Sequence, residues 1–375
     1  MLSLTRTWAV MAKEFVQLTR DRLTYAMILM LPIVQLLLFG YAINDDPRNL
    51  PTAVLVQDQG GFSRAVLTAL DNSGYFAVTR AVRSTAELDQ ALARGEAQFA
   101  VIIPADFTRR VVRGDRAQIL VEADASDPSA TSGAVAALSQ LPQQALAREL
   151  TGPLAGRAPG APPFEVVVHR RYNPEAITAY NIVPGLLGVI LSMTLVMMTS
   201  LGMARERERG TMESLLATPV RPVEVMVGKL TPYVLVGLVQ ATVILVLARV
   251  LFAVPMSGGW LALGAGLLLF IVGSLALGFL ISTLARTQLQ AMQMSVFYML
   301  PSILLSGFMF PFRGMPDWAQ AIGTAIPVTH FLRVVRGSLL KGVGLENAGH
   351  SLLALLLFVL VVGTLAMLRY RTTLD

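Results

Sequence analysis

Three carboxylates, Asp58, Asp124 and Asp127, fall near the ends of predicted strands, where two of them could share a cation. Asp127-Pro128 reads more simply as an end-of-strand turn and a helix start. His169 has Arg170 and Arg171 for neighbours instead of further ligands, which argues against a metal site. Gln57-Asp58-Gln59-Gly60-Gly61 follows a predicted strand as a phosphate loop would, but it lacks GxGxxG and no Lys-Ser/Thr pair comes after it, so a plain strand-to-helix turn is the better reading. Gly228-Lys229 is followed by Leu230 instead of Ser or Thr, and no GxxxxGK[ST] exists anywhere. With no cysteine, disulfides, thiolate metal sites and cysteine nucleophiles are excluded. What remains is a charged island, Ala204–Thr231. In it Arg205, Glu206, Arg207, Glu208 and Arg209 alternate in sign, Gly210 interrupts, and Thr211-Met212-Glu213-Ser214-Leu215-Leu216 reads as a short amphipathic helix stopped at Pro219. The chemistry open to such a stretch is docking through ion pairs; its bland alternative is a topology signal and a solvated face.

The island sits between two long apolar runs, and composition explains why. Of 375 residues, 54% are hydrophobic and 14% charged, with a mean hydropathy of +0.61, where soluble domains carry about 25% charge. This is an integral membrane protein. The formal charge of +6 needs no nucleic-acid partner, because basic residues flanking spans account for it.

Spans are predicted at 23–43, 177–203, 232–254, 260–284, 289–310 and 351–368. Residues 1–22 precede the first as an interfacial helix, with Trp8, Met11, Ala12, Phe15 and Val16 along one stripe and Arg6, Lys13 and Arg20 elsewhere. The run 23–43 is too long for a signal-peptide core and has no small-x-small cleavage site, so it reads as a retained span. Arg249, near the end of its span, is expected to snorkel, and Gln288, Gln290 and Gln293 open the fifth span either along a pathway or as glue between helices. No Asp or Glu falls inside a predicted span, which weakens an ion-coupled scheme or an intramembrane enzyme. Residues 311–341, broken by Pro311, Gly314, Pro316 and Pro327, read as short helices dipping into the outer leaflet or as a surface connector.

Orientation follows from the basic residues. The short segments on one side carry Arg6, Lys13, Arg20, Arg22, Arg205, Arg207, Arg209, Arg221, Lys229, Arg286, Arg369 and Arg371; those on the other carry Arg313, Arg333, Arg336 and Lys341. The excess places both termini, the tail 369–375 included, in the cytosol and residues 44–175 outside it. That long segment alternates β-rich runs (52–57, 76–82, 98–103, 117–121 and 164–169) with helical patterns, which predicts an α/β domain on a mixed sheet. Ser84 and Glu87 form a capping box for a helix over 84–94, stopped by Gly95. A long helical pattern, 129–150, precedes a Pro/Gly/Ala linker at 152–163. The fold class expected is therefore an α-helical polytopic membrane protein of six transmembrane helices with an inserted extracytoplasmic α/β domain.

Arg205 to Thr211, Glu213, Leu215, Leu216, Thr218 and Pro219, continued by Pro222, Glu224, Gly228 and Lys229, resemble the cytosolic loop of ABC-2 type transporter permeases, whose pattern runs close to RERERGT-x-E-x-L-L-x-TP. Leu38–Ile43, Asp58, Ile103–Phe107 and Ala125–Pro128 resemble further pieces of that family. The resemblance implies a permease subunit moving an amphipathic, drug-like or lipid-like substrate out of the cytosol or inner leaflet of a bacterial inner membrane. A separate ABC ATPase would bind the ATP and Mg, since Leu305-Ser306-Gly307-Phe308 departs from LSGGQ and this chain is expected to hold no cofactor, metal or catalytic group. It also implies ATPase coupling through residues 204–231 and the N-terminal elbow, at Lys13, Glu14, Arg20, Arg205, Glu206, Arg207, Glu208, Arg209, Gly210, Thr211 and Glu213. Its further implied partners are a second permease copy or a sister permease and membrane lipid, with a periplasmic adaptor as another candidate. The rival reading is an ATP-independent scaffold or receptor whose outer domain binds a partner, although anchoring needs one span and no structured loop.

Overall fold

The computed structural model describes residues 47–147, 149–150, 162–208 and 222–369, the backbone alone at 128–130 and 222–229. The interfacial helix and span expected over 1–43, the island helix expected at 211–216 and nearly all of the linker lie outside the described residues.

Period-2 alternation builds the α/β domain. Strands β1 (Leu50–Val56), β2 (Phe76–Ala81), β3 (Phe99–Ile103), β4 (Ala117–Asp124) and β5 (Phe164–Arg171) form one sheet in the order β2-β1-β3-β4-β5. All neighbours are parallel except β3 and β4. Leu50, Val54, Phe99, Val101 and Ile103 face one core, while Ala53, Leu55 and Ala100 face another. Both faces are therefore covered, as parallel strands require. The first face packs under helices α1 (Gly61–Asn72), α3 (Phe107–Arg113), α4 (Pro128–Leu138) and α5 (Leu141–Gln144); the second packs under α2 (Thr85–Ala93). Phe76 meets Phe99 edge-on at 5.0 Å, and Phe107 meets Phe164 at 5.5 Å.

Half of the capping box is formed, Ser84 Oγ accepting from Glu87 N–H at 3.3 Å, while the Glu87 carboxylate reaches one residue further back and accepts from Arg83 N–H at 2.9 Å. Gly95 follows with φ of 69°, the left-handed stop that glycine favours. The expected helix over 129–150 is instead two, because Pro142 has no N–H to continue α4 and its ring would crowd the preceding turn.

The chain leaves the sheet through Asn173, fully buried, whose amide donates to Ile177 O at 3.0 Å while its Oδ1 accepts from Ile177 N–H at 2.9 Å. Among the described residues seven α-helices follow: α6 (Thr178–Glu208), α7 (Pro222–Phe252), α8 (Trp260–Leu284), α9 (Gln288–Leu305), α10 (Asp317–Ala325), α11 (Pro327–Lys341) and α12 (Leu345–Arg369). Among the described residues four, α6, α7 from Leu230, α8 and α12, are long and apolar enough to cross a membrane. Six spans are therefore not all in view. The fifth expected span, 289–310, is observed as α9, which stops at Leu305 where Gly307 takes φ of 80°. Its three glutamines lower its apolarity further.

α8 is the most buried of the four and α7 the least. α8 comes so near α6 that a Cβ on Gly278 would lie 2.7 Å from Val196 O. It meets α11 through Phe270 and Phe331, stacked at 4.1 Å. The bundle has a charged end, carrying Arg205–Glu208, and an opposite end that bears the α/β domain.

Candidate functional site

The charged end is built from helix termini. α8 ends with carbonyls that have no intrahelical partner, and α9 begins with N–H groups in the same condition. Between them lie only Ala285, Arg286 and Thr287. Arg207, in the last turn of α6, reaches across: its Nη1 donates to Ala285 O at 2.8 Å and Ser282 O at 3.4 Å. Glu208 Oε1 accepts from the main-chain N–H of Gln288 at 2.7 Å, and Oε2 accepts from the Gln288 amide. Arg205 Nε donates to Gln288 Oε1 at 3.3 Å. A cation thus caps the C-terminus of one helix and an anion the N-terminus of the next, the signs that the helix dipoles favour. Thr287 Oγ1 accepts from Gln290 N–H at 3.2 Å while Gln290 Oε1 accepts from Arg286 N–H at 2.9 Å, the same arrangement as at Ser84 and Glu87.

Of the island residues proposed from sequence, the structure brings Arg205, Arg207 and Glu208 together on this corner and places Glu206 half-buried among them in α6. Lys13, Glu14, Arg20, Arg209, Gly210, Thr211 and Glu213 lie outside the described residues. Sequence reasoning missed Gln288 as the partner of Glu208. The Thr287-x-x-Gln290 spacing was the available signal, since it marks a helix start after a short turn.

At the opposite end, the α/β domain is fastened by the same device. The C-terminus of α2 presents carbonyls to basic side chains of the helical part: Lys341 Nζ donates to Leu92 O at 3.3 Å, and Arg313 Nη2 to Gly95 O at 2.9 Å. Arg94 Nε donates to Asn347 Oδ1 at 2.9 Å, and the Asn181 amide to Asp127 Oδ1 at 3.1 Å. Lys341 also forms a buried ion pair with Asp124, the side chains 9% and 8% exposed. Asp58, the third carboxylate singled out by sequence, accepts from Gly60 N–H at 3.1 Å, Thr108 Oγ1 at 2.6 Å and Ser63 Oγ. Burial raises its pKa, and those hydrogen bonds outweigh the burial, so the carboxyl titrates below its ordinary value. Each carboxylate is occupied by the protein's own donors. Among the described residues no group of three His, Cys, Asp or Glu could hold a metal ion. Arg249, exposed in the last turn of α7, donates to Val254 O at 3.3 Å and so reaches beyond the helix end.

The profile of the ABC-2 family transporter proteins matches residues 22–368. The chain is similar to the "Probable multidrug ABC transporter permease YbhR" of Escherichia coli, 28% identical over 98% of this chain and 98% of the relative. It is similar to "Probable multidrug ABC transporter permease YbhS" of the same organism, 31% identical over 91% of this chain and 90% of the relative. "ABC transporter G family member 20" of Dictyostelium discoideum is 26% identical over 96% of this chain and 50% of the relative.

Proposed function

This chain belongs to the ABC-2 family of transporter proteins, and from that membership we propose that it is the membrane permease of an ATP-driven exporter. A separate ABC ATPase binds ATP and Mg, and this chain supplies the pathway. The cargo is an amphipathic, drug-like or lipid-like compound leaving the cytosol or inner leaflet; the multidrug wording in two relatives' names and the apolar helix faces support that class. Both termini are cytosolic, residues 44–175 are extracytoplasmic, the first span is 23–43, and 311–341 dips into the outer leaflet. The working unit pairs this chain with a second copy or a sister permease, with a periplasmic adaptor as a further candidate partner of the outer domain.

The corner at the charged end carries this reading. Arg207 and Glu208 join α6 to the α8–α9 turn, so a load applied to the island is passed to α8, the most buried of the four candidate spans. Coupling requires a partner that contacts this end differently in its two states. The residues left for the ATPase are those of the island beyond the corner, Arg209, Gly210, Thr211 and Glu213, together with Lys13, Glu14 and Arg20 of the elbow.

The test is purification of the chain from its native membrane in mild detergent, followed by an ATPase assay on the eluate. Wild type is compared with Arg209→Ala and Glu213→Ala, chosen because Glu208 is engaged within the chain. Co-purifying ATP hydrolysis that these substitutions abolish supports the exporter. An eluate without an ATPase returns the chain to the scaffold reading.

A further inference from the structure

Between the α/β domain and the helices at its end lies a cavity of about 410 Å³, within the size range of small-molecule sites. Its charge is unbalanced. The lining includes five cations, Arg94, Arg313, Arg333, Arg336 and Lys341, against two carboxylates, Asp124 and Asp127, and Lys341 already neutralises Asp124. Arg313, Arg333 and Arg336 have no carboxylate within ion-pair distance among the described residues, and for Arg336, the one partly withdrawn from solvent, burial of a charge ordinarily demands one.

The three differ in depth. Arg313 and Arg333 are exposed, Arg333 lying over the Phe312 ring at 4.9 Å. Arg336 is half-buried; its Nη1 donates to Gly307 O at 3.0 Å, while Nε and Nη2 are shielded from solvent and have no partner among the described residues. Those two nitrogens form one edge of the guanidinium, the fork that matches two oxygens of a single oxyanion. Leaving such a fork unsatisfied is costly, and among the described residues no acceptor reaches it.

We propose that this cavity binds a phosphate group, admitted past Arg313 and Arg333 and held among the guanidiniums of Arg313, Arg333 and Arg336. Phosphate suits it better than carboxylate because it offers more charge and more acceptor oxygens to three guanidiniums at once. The group is either the headgroup of an anionic phospholipid or a soluble phosphate. The proposal stands apart from ATPase coupling, since binding is read on this chain alone.

Isothermal titration calorimetry of the full chain in neutral detergent tests it, with dihexanoyl phosphatidic acid, dihexanoyl phosphatidylcholine and inorganic phosphate as probes. Saturable binding of phosphatidic acid with none of phosphatidylcholine assigns the site to an anionic headgroup. Binding of inorganic phosphate at equal affinity assigns it to soluble phosphate, and both results support the site. Arg313→Gln and Arg333→Gln, at exposed positions, are expected to weaken binding about tenfold each, and Arg249→Gln to leave it unchanged. Equal affinity for phosphatidic acid and phosphatidylcholine overturns the proposal without any substitution. So does wild-type affinity in the Arg313→Gln/Arg333→Gln double variant, or no saturable binding of either phosphate probe.

Discussion

Glu208 holds Gln288, 80 residues further along the chain, by both its main-chain N–H, at 2.7 Å, and its side-chain amide. One carboxylate at the end of α6 therefore fixes where α9 begins. Glu208→Ala removes the acceptor of the Gln288 main-chain N–H, so that N–H should exchange faster with solvent. Hydrogen exchange of a peptide covering 285–290 is expected to rise in Glu208→Ala and in Arg207→Ala, and to stay at the wild-type level in Arg209→Ala. Unchanged exchange in the first two would mean the corner is held by Thr287 and Gln290 alone.

The Asp124–Lys341 pair ties β4 to the end of α11 across 217 residues, with both side chains nearly out of solvent. Breaking a buried pair from one side leaves an uncompensated charge and costs about 3–5 kcal/mol, whereas replacing both partners with apolar groups is often neutral. Lys341→Met should therefore lower the unfolding temperature of the detergent-solubilised chain more than Lys341→Met with Asp124→Leu does. If the double variant is as unstable as the single one, the pair does not act as a unit.

The same contrast explains how much could be read from the sequence. All five strands, the mixed sheet and the Ser84/Glu87 cap were legible because each depends on spacing within one short segment. Membership of the family was legible in the island, a run of consecutive residues. Pro142 was a visible signal that the 129–150 pattern must break, but its apolar periodicity continues on both sides and masked it. α9 was overestimated because Phe308, Met309 and Phe310 extend its apolar run, although Gly307 turns the backbone before them. The corner and the fastening of the domain were not legible. They join residues up to 253 positions apart, and nothing local in Arg94 marks Asn347 as its partner.

Asp58 gives the domain a dependence on acid. Its folded pKa lies below the unfolded value, so its contribution to stability is full above the unfolded pKa, about 3.9, and is lost as pH falls through the folded value. Asp58→Asn lacks this titration. The gap in unfolding temperature between wild type and Asp58→Asn should be widest near neutral pH and close as the pH is taken below about 4. A gap that widens on acidification would contradict the depressed pKa.

Gly278 sets the distance between α8 and α6. An added Cβ would lie 2.7 Å from Val196 O, 2.9 Å from Thr199 Cβ and 3.1 Å from Val196 Cα; two of these are backbone atoms of a packed helix and cannot rotate away. Inserting atoms into such a contact costs about 1–3 kcal/mol through displaced backbone. Gly264 is the matched control, because a Cβ there meets nothing within 4 Å on the same helix. Gly278→Ala should lower the unfolding temperature and Gly278→Val should lower it further, while Gly264→Ala leaves it the same or raises it through its better helix propensity. Helix propensity alone would raise it at both positions, so a loss confined to Gly278 isolates the close approach of α6 as the cause. Since α8 also receives the Arg207 bonds at the charged end, a separated α6–α8 pair should weaken that corner as well, and the 285–290 peptide of Gly278→Val should exchange faster than that of Gly264→Ala.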